Sequence, residues 1–160
     1  MKVFRAVALI LVSLTTVFAR PEDLPTKRTL TLAAAKKIVA AAEAEAIKRG
    51  ATVVIAVVDD GGHLILLERL DDTQVASVDV AIGKARTASI FRRPSKVFED
   101  QIRDGCVAAL ALPGATPLQG GIPILVDGKV VGAIGVSGNS PQEDEDIAKA
   151  GAAATAAAIQ

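Results

Sequence analysis

The segment from Asp127 to Glu143 constrains the fold of this chain more than any other stretch. Asp127-Gly128 is typical of a two-residue hairpin turn, because glycine tolerates the positive φ that such turns need. An apolar run then predicts a buried strand, which ends at the Ser137-Gly138 corner. Ser140-Pro-Gln-Glu143 has the form of a capping box with proline at the first helical position. The segment therefore predicts a turn, a strand, a corner and a capped helix in direct succession.

The Ser137-Gly138 corner also predicts a binding site. Backbone N–H groups at the start of a helix lack helical partners and attract anions. Ser137, Gly138 and the N–H groups after Asn139 are therefore candidate contacts for a carboxylate or a phosphate. The alternative is that these groups only cap the helix that follows them.

The remaining elements follow from apolar spacing and from the glycines and prolines that interrupt it. In chain order we predict a helix over 32–49, strands over 51–58 and 63–70, helices over 74–91 and 94–104, strands over 106–112, 122–126 and 129–136, and a helix over 141–159. Strands that follow one another directly, rather than alternating with helices, are typical of an antiparallel sheet with helices packed on it. The predicted class is therefore α/β in the broad sense, of the α+β type.

The N-terminus has the pattern of an export signal. Lys2 and Arg5 precede an apolar run over residues 6–18, and Val17-Phe-Ala19 fits cleavage after a small residue. The apolar run is shorter than the roughly 20 residues that a membrane-spanning helix needs. We therefore expect residues 1–19 to be a signal peptide, 20–29 a linker or arm and 30–160 one domain. The mature protein would be periplasmic or secreted, with no membrane span after signal removal.

Charge and composition argue against nucleic-acid binding. Without Lys2 and Arg5, the chain has 16 basic against 18 acidic side chains, whereas nucleic-acid binding requires a clearly basic face. Phe91 and Phe98 are the only aromatic residues of the expected mature chain, which is too few for a base-stacking platform. A zinc site is equally unsupported, because one histidine and one cysteine cannot fill its ligand positions. That cysteine, Cys106, precedes an apolar run, and we expect it to be buried.

Several segments, taken together, resemble a known family. They are Val57–Leu64, Glu68–Asp71, Lys84–Ala88, Arg93–Ser95, Gly120–Ile124 and Asp127–Gly138. Their order and spacing resemble the GlcG/HbpS-like family of haem-binding or haem-degrading proteins, from about Leu30 to the C-terminus. The resemblance implies a profilin-like fold with a five-stranded antiparallel sheet flanked by helices. It also implies a closed homo-oligomer.

The resemblance further implies a small-molecule ligand, with haem or a related tetrapyrrole as the first candidate and haem degradation as an activity of some members. Haem iron needs an axial ligand such as histidine, and His63 is the only histidine in the chain. His63 is therefore either that ligand or a residue beside a turn without such a role. The haem propionates would meet Arg69, Lys84 or the backbone near Ser137 and Gly138. Gly121 would allow close approach of the ligand, of a helix or of a neighbouring chain.

Each cation has an alternative role. Arg69 could instead form an ion pair with Asp71 or Asp59, and Lys84 could lie on a solvated helix face. Two other functions also remain open at this point. The protein could be an enzyme or sensor for a small organic acid such as glycolate, with a small polar pocket closed by Arg69. It could also be a ligand-free oligomeric accessory protein, which would have an exposed apolar patch.

Overall fold

A computed structural model describes residues 24–157 of the chain. The predicted signal peptide, residues 20–23 of the predicted arm and the end of the predicted last helix lie outside these residues. The elements in chain order are α1 (Leu32–Arg49), β1 (Val54–Asp59), β2 (Leu64–Arg69), α2 (Ser77–Ile90), α3 (Lys96–Arg103), a short 3₁₀ helix (Val107–Ala111), β3 (Gly121–Val126), β4 (Lys129–Ser137) and α4 (Pro141–Ala157). None of the helices within 24–157 is long and apolar enough to cross a membrane.

The strands form one antiparallel sheet in the order β2-β1-β4-β3. The antiparallel α+β architecture is confirmed, but the expected fifth strand is wrong, because the described residues form four. Residues 106–112, predicted as a strand, instead contain the 3₁₀ helix Val107–Ala111. This segment is rich in alanine, which is depleted in strands because it has no branched side chain to pack on a pleated surface.

Helices cover both faces of the sheet. The side chains of Ile55 and Val57 on β1 belong to the core cluster that contains the buried faces of α1 and α4. The alternate residues Val54 and Val58 pack instead in clusters with α2 alanines. Because successive side chains of a strand point to opposite faces, a strand buried on both faces reads as a continuous apolar run, as β1 does.

Small residues bring α2 unusually close to the sheet. A Cβ atom on Gly135 of β4 would collide with the carbonyl oxygen of Ala81, and one on Gly121 of β3 would collide with the carbonyl oxygen of Lys84. These strand glycines therefore admit a helix backbone, which is one of the roles that glycine has within strands. The close approach places Lys84 directly over the sheet.

The helix boundaries follow the predicted caps. The Thr31 hydroxyl accepts a hydrogen bond from the Ala34 N–H at 3.2 Å, and Gly50 ends α1 with a φ of 66°. At α4, the Ser140 hydroxyl accepts from the Glu143 N–H, and the Glu143 carboxylate accepts from the Ser140 N–H, both at 3.4 Å. This reciprocal pair confirms the predicted capping box.

Candidate functional site

A groove of about 820 Å³ lies beside the β3–β4 hairpin, and we call it the arm groove. Residues 25–28, which precede α1, form one wall, and residues 125–131 of the hairpin form another. Asp60 from the β1–β2 turn and Arg92 from the segment after α2 complete the lining. The hairpin itself turns at Asp127 and Gly128, whose φ angles are 50° and 73°. Two consecutive positive φ angles are the signature of the tight turn that the Asp-Gly pair predicts.

Positive charge dominates the arm groove. Its lining contains four basic side chains and two carboxylates, namely Lys27, Arg28, Arg92 and Lys129 with Asp60 and Asp127. Lys27 forms an ion pair with Asp60, and the Arg28 guanidinium lies 3.0 Å from the Asp127 carboxylate. Arg92 and Lys129 have no carboxylate within ion-pair distance among residues 24–157. The groove therefore has two basic groups in excess, which favours an anionic ligand.

The two ion pairs across the arm groove are weak. The side chains of Lys27 and Arg28 are 62% and 63% exposed, and a pair so exposed typically contributes only 0 to about 1 kcal/mol. A ligand carboxylate could therefore replace Asp60 or Asp127 at little cost.

An apolar recess of about 260 Å³ adjoins the arm groove. The two share Arg28, Val126 and Val131, and Leu30 and Ala34 of α1's N-terminal region also line the recess. A ligand with an anionic edge and an apolar body would find both kinds of surface side by side, which is the usual composition of small-molecule sites.

His63 lies at the β1–β2 turn, outside the arm groove. The backbone N–H groups of His63 and Gly61 both donate to one carboxylate oxygen of Asp59, at 2.8 and 2.9 Å respectively. Burial raises the pKa of Asp59, but these hydrogen bonds outweigh it, so that the pKa lies below its ordinary value. The His63 imidazole is 79% exposed, with its Nδ1 3.4 Å from the same carboxylate oxygen. The same turn carries Asp60, which does line the groove.

Lys84 is buried rather than solvated, so its alternative placement on a solvated face is wrong. Its ammonium donates to the Asp144 carboxylate at 2.8 Å and to the Val136 carbonyl oxygen at 3.0 Å. Burial raises the pKa of the Asp144 carboxyl, and this outweighs the hydrogen bonds from Lys84 and from backbone N–H groups. The ammonium thus ties α2 to β4 and α4, and a ligand carboxylate would have to displace Asp144 to reach it.

Of the predicted anion contacts at the corner, Ser137 is buried, Gly138 is half-buried and Asn139 is exposed. The Ser137 side chain packs with its hydroxyl 3.5 Å from that of Ser77, and a Cβ on Gly138 would collide with the Thr52 carbonyl oxygen. The Asn139 N–H donates to Asp144 at 3.0 Å. The carboxylates of Asp144 and Glu143 on α4 therefore already accept from the N–H groups of Asn139 and Ser140. This arrangement agrees with the alternative that these groups only cap the helix.

The last two candidates from the sequence lie apart from each other and from the arm groove. Gly121 begins β3, and its N–H donates to the Ser95 hydroxyl at 2.8 Å. Arg69 ends the edge strand β2 and is exposed. The small-acid alternative expected Arg69 to close a pocket, yet Arg69 does not line the arm groove.

Cys106 is exposed, so the expectation that it is buried is wrong. The reason is the 3₁₀ helix that follows it, which lies on the surface with Val107 and Leu110 exposed by 67% and 64%. In the described part of the chain, no three His, Cys, Asp or Glu side chains lie close enough to hold a metal ion.

Sequence reasoning missed the four cations of the arm groove. Lys27 and Arg28 belong to the segment that the sequence predicts to be a linker or arm, and their position depends on how this arm packs beside the hairpin. Lys129 follows the Asp127-Gly128 turn, so the sequence alone predicts that it lies at the end of a hairpin. Arg92 follows α2 directly, but nothing in its local pattern indicates which loop it faces.

Comparison with known proteins assigns the chain to a family. The family model described as "Haem degrading protein HbpS-like" matches residues 30–153. Protein GlcG of Escherichia coli (strain K12) is 44% identical over 112 residues, which cover 70% of this chain and 84% of GlcG.

Solved structures agree with this assignment. A double mutant of HbpS from Streptomyces reticuli superposes with a TM-score of 0.77 at 35% identity, over 88% of this chain and 97% of that one. The structure of a PduOC:haem complex superposes with a TM-score of 0.72 at 26% identity, over 79% of this chain and 95% of that one. The family predicted from the sequence is thereby confirmed, and the chain belongs to the HbpS-like family.

Proposed function

We propose that this protein binds haem or a related tetrapyrrole in the arm groove. The observation that carries the proposal is a groove of about 820 Å³ with an adjoining apolar recess and with two cations that no carboxylate of residues 24–157 pairs. That volume is within the usual range of small-molecule sites. Membership of the HbpS-like family and the haem bound in the similar PduOC structure support the same ligand class.

The residues of the arm groove suit the periphery of a tetrapyrrole. Arg92 and Lys129 would pair with the propionates, and ion pairs of this kind are strengthened by charge-assisted hydrogen bonds. Leu125, Val126 and Val131 would contact the apolar ring. Haem, when bound, would supply the iron and its redox chemistry, and the chain would supply position and charge.

The groove suits the iron less well. Neither the one histidine nor the one cysteine of the chain lines it. His63 is the candidate axial ligand closest to the groove along the chain, because Asp60 of the same turn forms part of the lining. The His63 imidazole is exposed and could reach a bound ligand, but it does not line the groove. Ligation of the iron by His63 is therefore proposed and tested separately.

An absorbance titration of haem into the purified protein tests the proposal. We expect a saturable Soret shift with one haem per chain. A Lys129→Gln variant should weaken binding by about tenfold, which corresponds to roughly 1.4 kcal/mol, the strength of one charge-assisted hydrogen bond. Lys36→Gln removes the same charge from an exposed part of α1 outside the groove and should bind as the parent does. Absence of a saturable shift in the parent protein would refute haem binding.

The His63 proposal is tested in the same titration. Loss of the axial ligand should shift the Soret position in His63→Ala even if the affinity changes little. An unchanged spectrum would refute ligation by His63 and leave haem binding intact.

Haem degradation is the finer proposal. It needs oxygen and an added reductant, because breaking the ring is an oxidation that the chain's own residues do not supply. Loss of Soret absorbance with release of chelatable iron, compared with haem alone under the same reductant, would support it. Stable absorbance under these conditions would favour binding without turnover.

We also propose that the chain is exported after cleavage near Ala19 and forms a homo-oligomer. The charged start and the apolar run over residues 6–18 support export. The exposed Val107 and Leu110 support a surface that a second copy covers. Mass spectrometry of the expressed protein and light scattering would test both, and an uncleaved monomer would refute them.

A further inference from the structure

Arg92 has a backbone conformation that does not suit arginine. It lies one residue beyond Phe91, which caps the C-terminus of α2, and its φ is 56°, in the left-handed region. Its N–H donates to the Ser89 carbonyl oxygen at 3.2 Å, which closes the last turn of the helix. Glycine is the usual residue at this place, because a Cβ atom makes the left-handed conformation unfavourable. The chain therefore holds arginine where glycine would give a more stable helix end.

The side chain of Arg92 makes no ion pair within the described residues that would offset the unfavourable backbone conformation. It is exposed, and among residues 24–157 no carboxylate lies within ion-pair distance of its guanidinium. The neighbouring Arg93 differs, because its guanidinium lies 5.8 Å from the centroid of the Phe98 ring and its Nε donates to the Phe91 carbonyl oxygen at 3.2 Å. Arg93 thus has a structural role, whereas Arg92 contributes to the arm groove.

Arg92 also differs from the other three cations of the groove. Lys27 and Arg28 are already paired with Asp60 and Asp127. Lys129 is unpaired within the described residues, but an ammonium acts as a point charge. A guanidinium can bind a carboxylate through two parallel hydrogen bonds, which gives orientation as well as affinity.

We propose that Arg92 is the residue that anchors and orients a carboxylate of the bound ligand. Its unfavourable backbone conformation is kept because the side chain is needed at this place in the groove. The inference rests on the proposed function, and for a tetrapyrrole the anchored group is a propionate.

Arg92→Gly tests the proposal because binding and stability should change in opposite directions. Glycine removes the side chain and relieves the backbone, so the thermal midpoint should equal or exceed that of the parent protein. The apparent Kd for haem and for metal-free protoporphyrin IX should rise by about tenfold or more. Arg92→Lys should recover only part of the affinity, and Arg93→Gln, which removes the adjacent charge outside the groove, should bind as the parent does.

Protoporphyrin IX dimethyl ester is the matched ligand, because its propionates are blocked. It should bind the parent and Arg92→Gly with equal affinity. If Arg92→Gly binds haem as the parent does, or if the ester binds the parent as tightly as the free acid, the anchoring role is refuted while haem binding stands. If the parent binds neither porphyrin, the proposed function fails and the inference fails with it.

Discussion

Removal of the buried ammonium of Lys84 should strongly destabilise the fold. The side chains of Lys84 and Asp144 are 5% and 3% exposed, and their charged atoms lie 2.8 Å apart. Lys84→Met keeps most of the side-chain volume but leaves the Asp144 carboxylate buried without its cation. The Val136 carbonyl oxygen also loses its hydrogen bond from the ammonium.

The expected loss is about 3–5 kcal/mol of the free energy of unfolding, because breaking one half of a buried ion pair leaves an uncompensated charge. For a domain of this size each kcal/mol shifts the thermal midpoint by about 3–5 °C, so the midpoint should fall by roughly 10–20 °C. Replacing both partners, as in Lys84→Met/Asp144→Asn, should recover much of this loss, since no buried charge then remains and the amide oxygen can still accept from the Asn139 N–H.

Urea and thermal unfolding followed by circular dichroism measure these changes. Lys48→Met is the control, because Lys48 pairs with Glu45 at the surface and is 76% exposed. Its unfolding should match that of the parent within error. A loss below about 1 kcal/mol in Lys84→Met would refute the reasoning, and so would a double variant less stable than the single one.

Three further predictions concern a strand glycine, the carboxylate of the β1–β2 turn and the exposed cysteine. Gly135→Ala should lower the thermal midpoint, because the new Cβ atom would collide with the Ala81 carbonyl oxygen; an unchanged midpoint would mean that α2 shifts freely. Asp59→Asn should cost stability at neutral pH, and the difference from the parent should shrink as the pH falls below the ordinary aspartate value of 3.8 and disappear below the lowered pKa that Asp59 has in the fold. A difference in unfolding free energy that does not shrink below pH 3.8 would contradict this assignment. Cys106 should react with a thiol reagent in the native protein because it is exposed, and reaction only after denaturation would contradict its placement.

Local sequence signals predicted most of the fold. Thr31 and Gly50 bound α1 as expected, and the Asp127-Gly128 turn and the Ser140 capping box have the predicted geometry. These features depend on contacts within a few residues, so the sequence contains what decides them. The strand over residues 106–112 was wrong because an alanine-rich segment has a weak preference for strand, and the segment forms a 3₁₀ helix on the surface instead.

The candidate site was much less predictable. The chemical types of Lys84 and Ser137 suit an anion site, but the fold buries both and uses their polar groups in internal contacts. The arm groove is built from segments more than 30 residues apart in the chain, such as the arm and the β3–β4 hairpin. No local pattern indicates which distant cations meet in space.

The sequence by itself determined the family, every predicted helix and strand except the strand over residues 106–112, and the caps of α1 and of the start of α4. Capping, turn and periodicity signals act over a few residues, and the family segments are recognisable in order along the chain. Only the tertiary structure decided which cations are free to bind a ligand. Whether a cation is free depends on distances to carboxylates that the sequence does not contain. Lys84 forms a buried ion pair with Asp144, whereas Arg92 is exposed, lines the arm groove and has no carboxylate partner among residues 24–157.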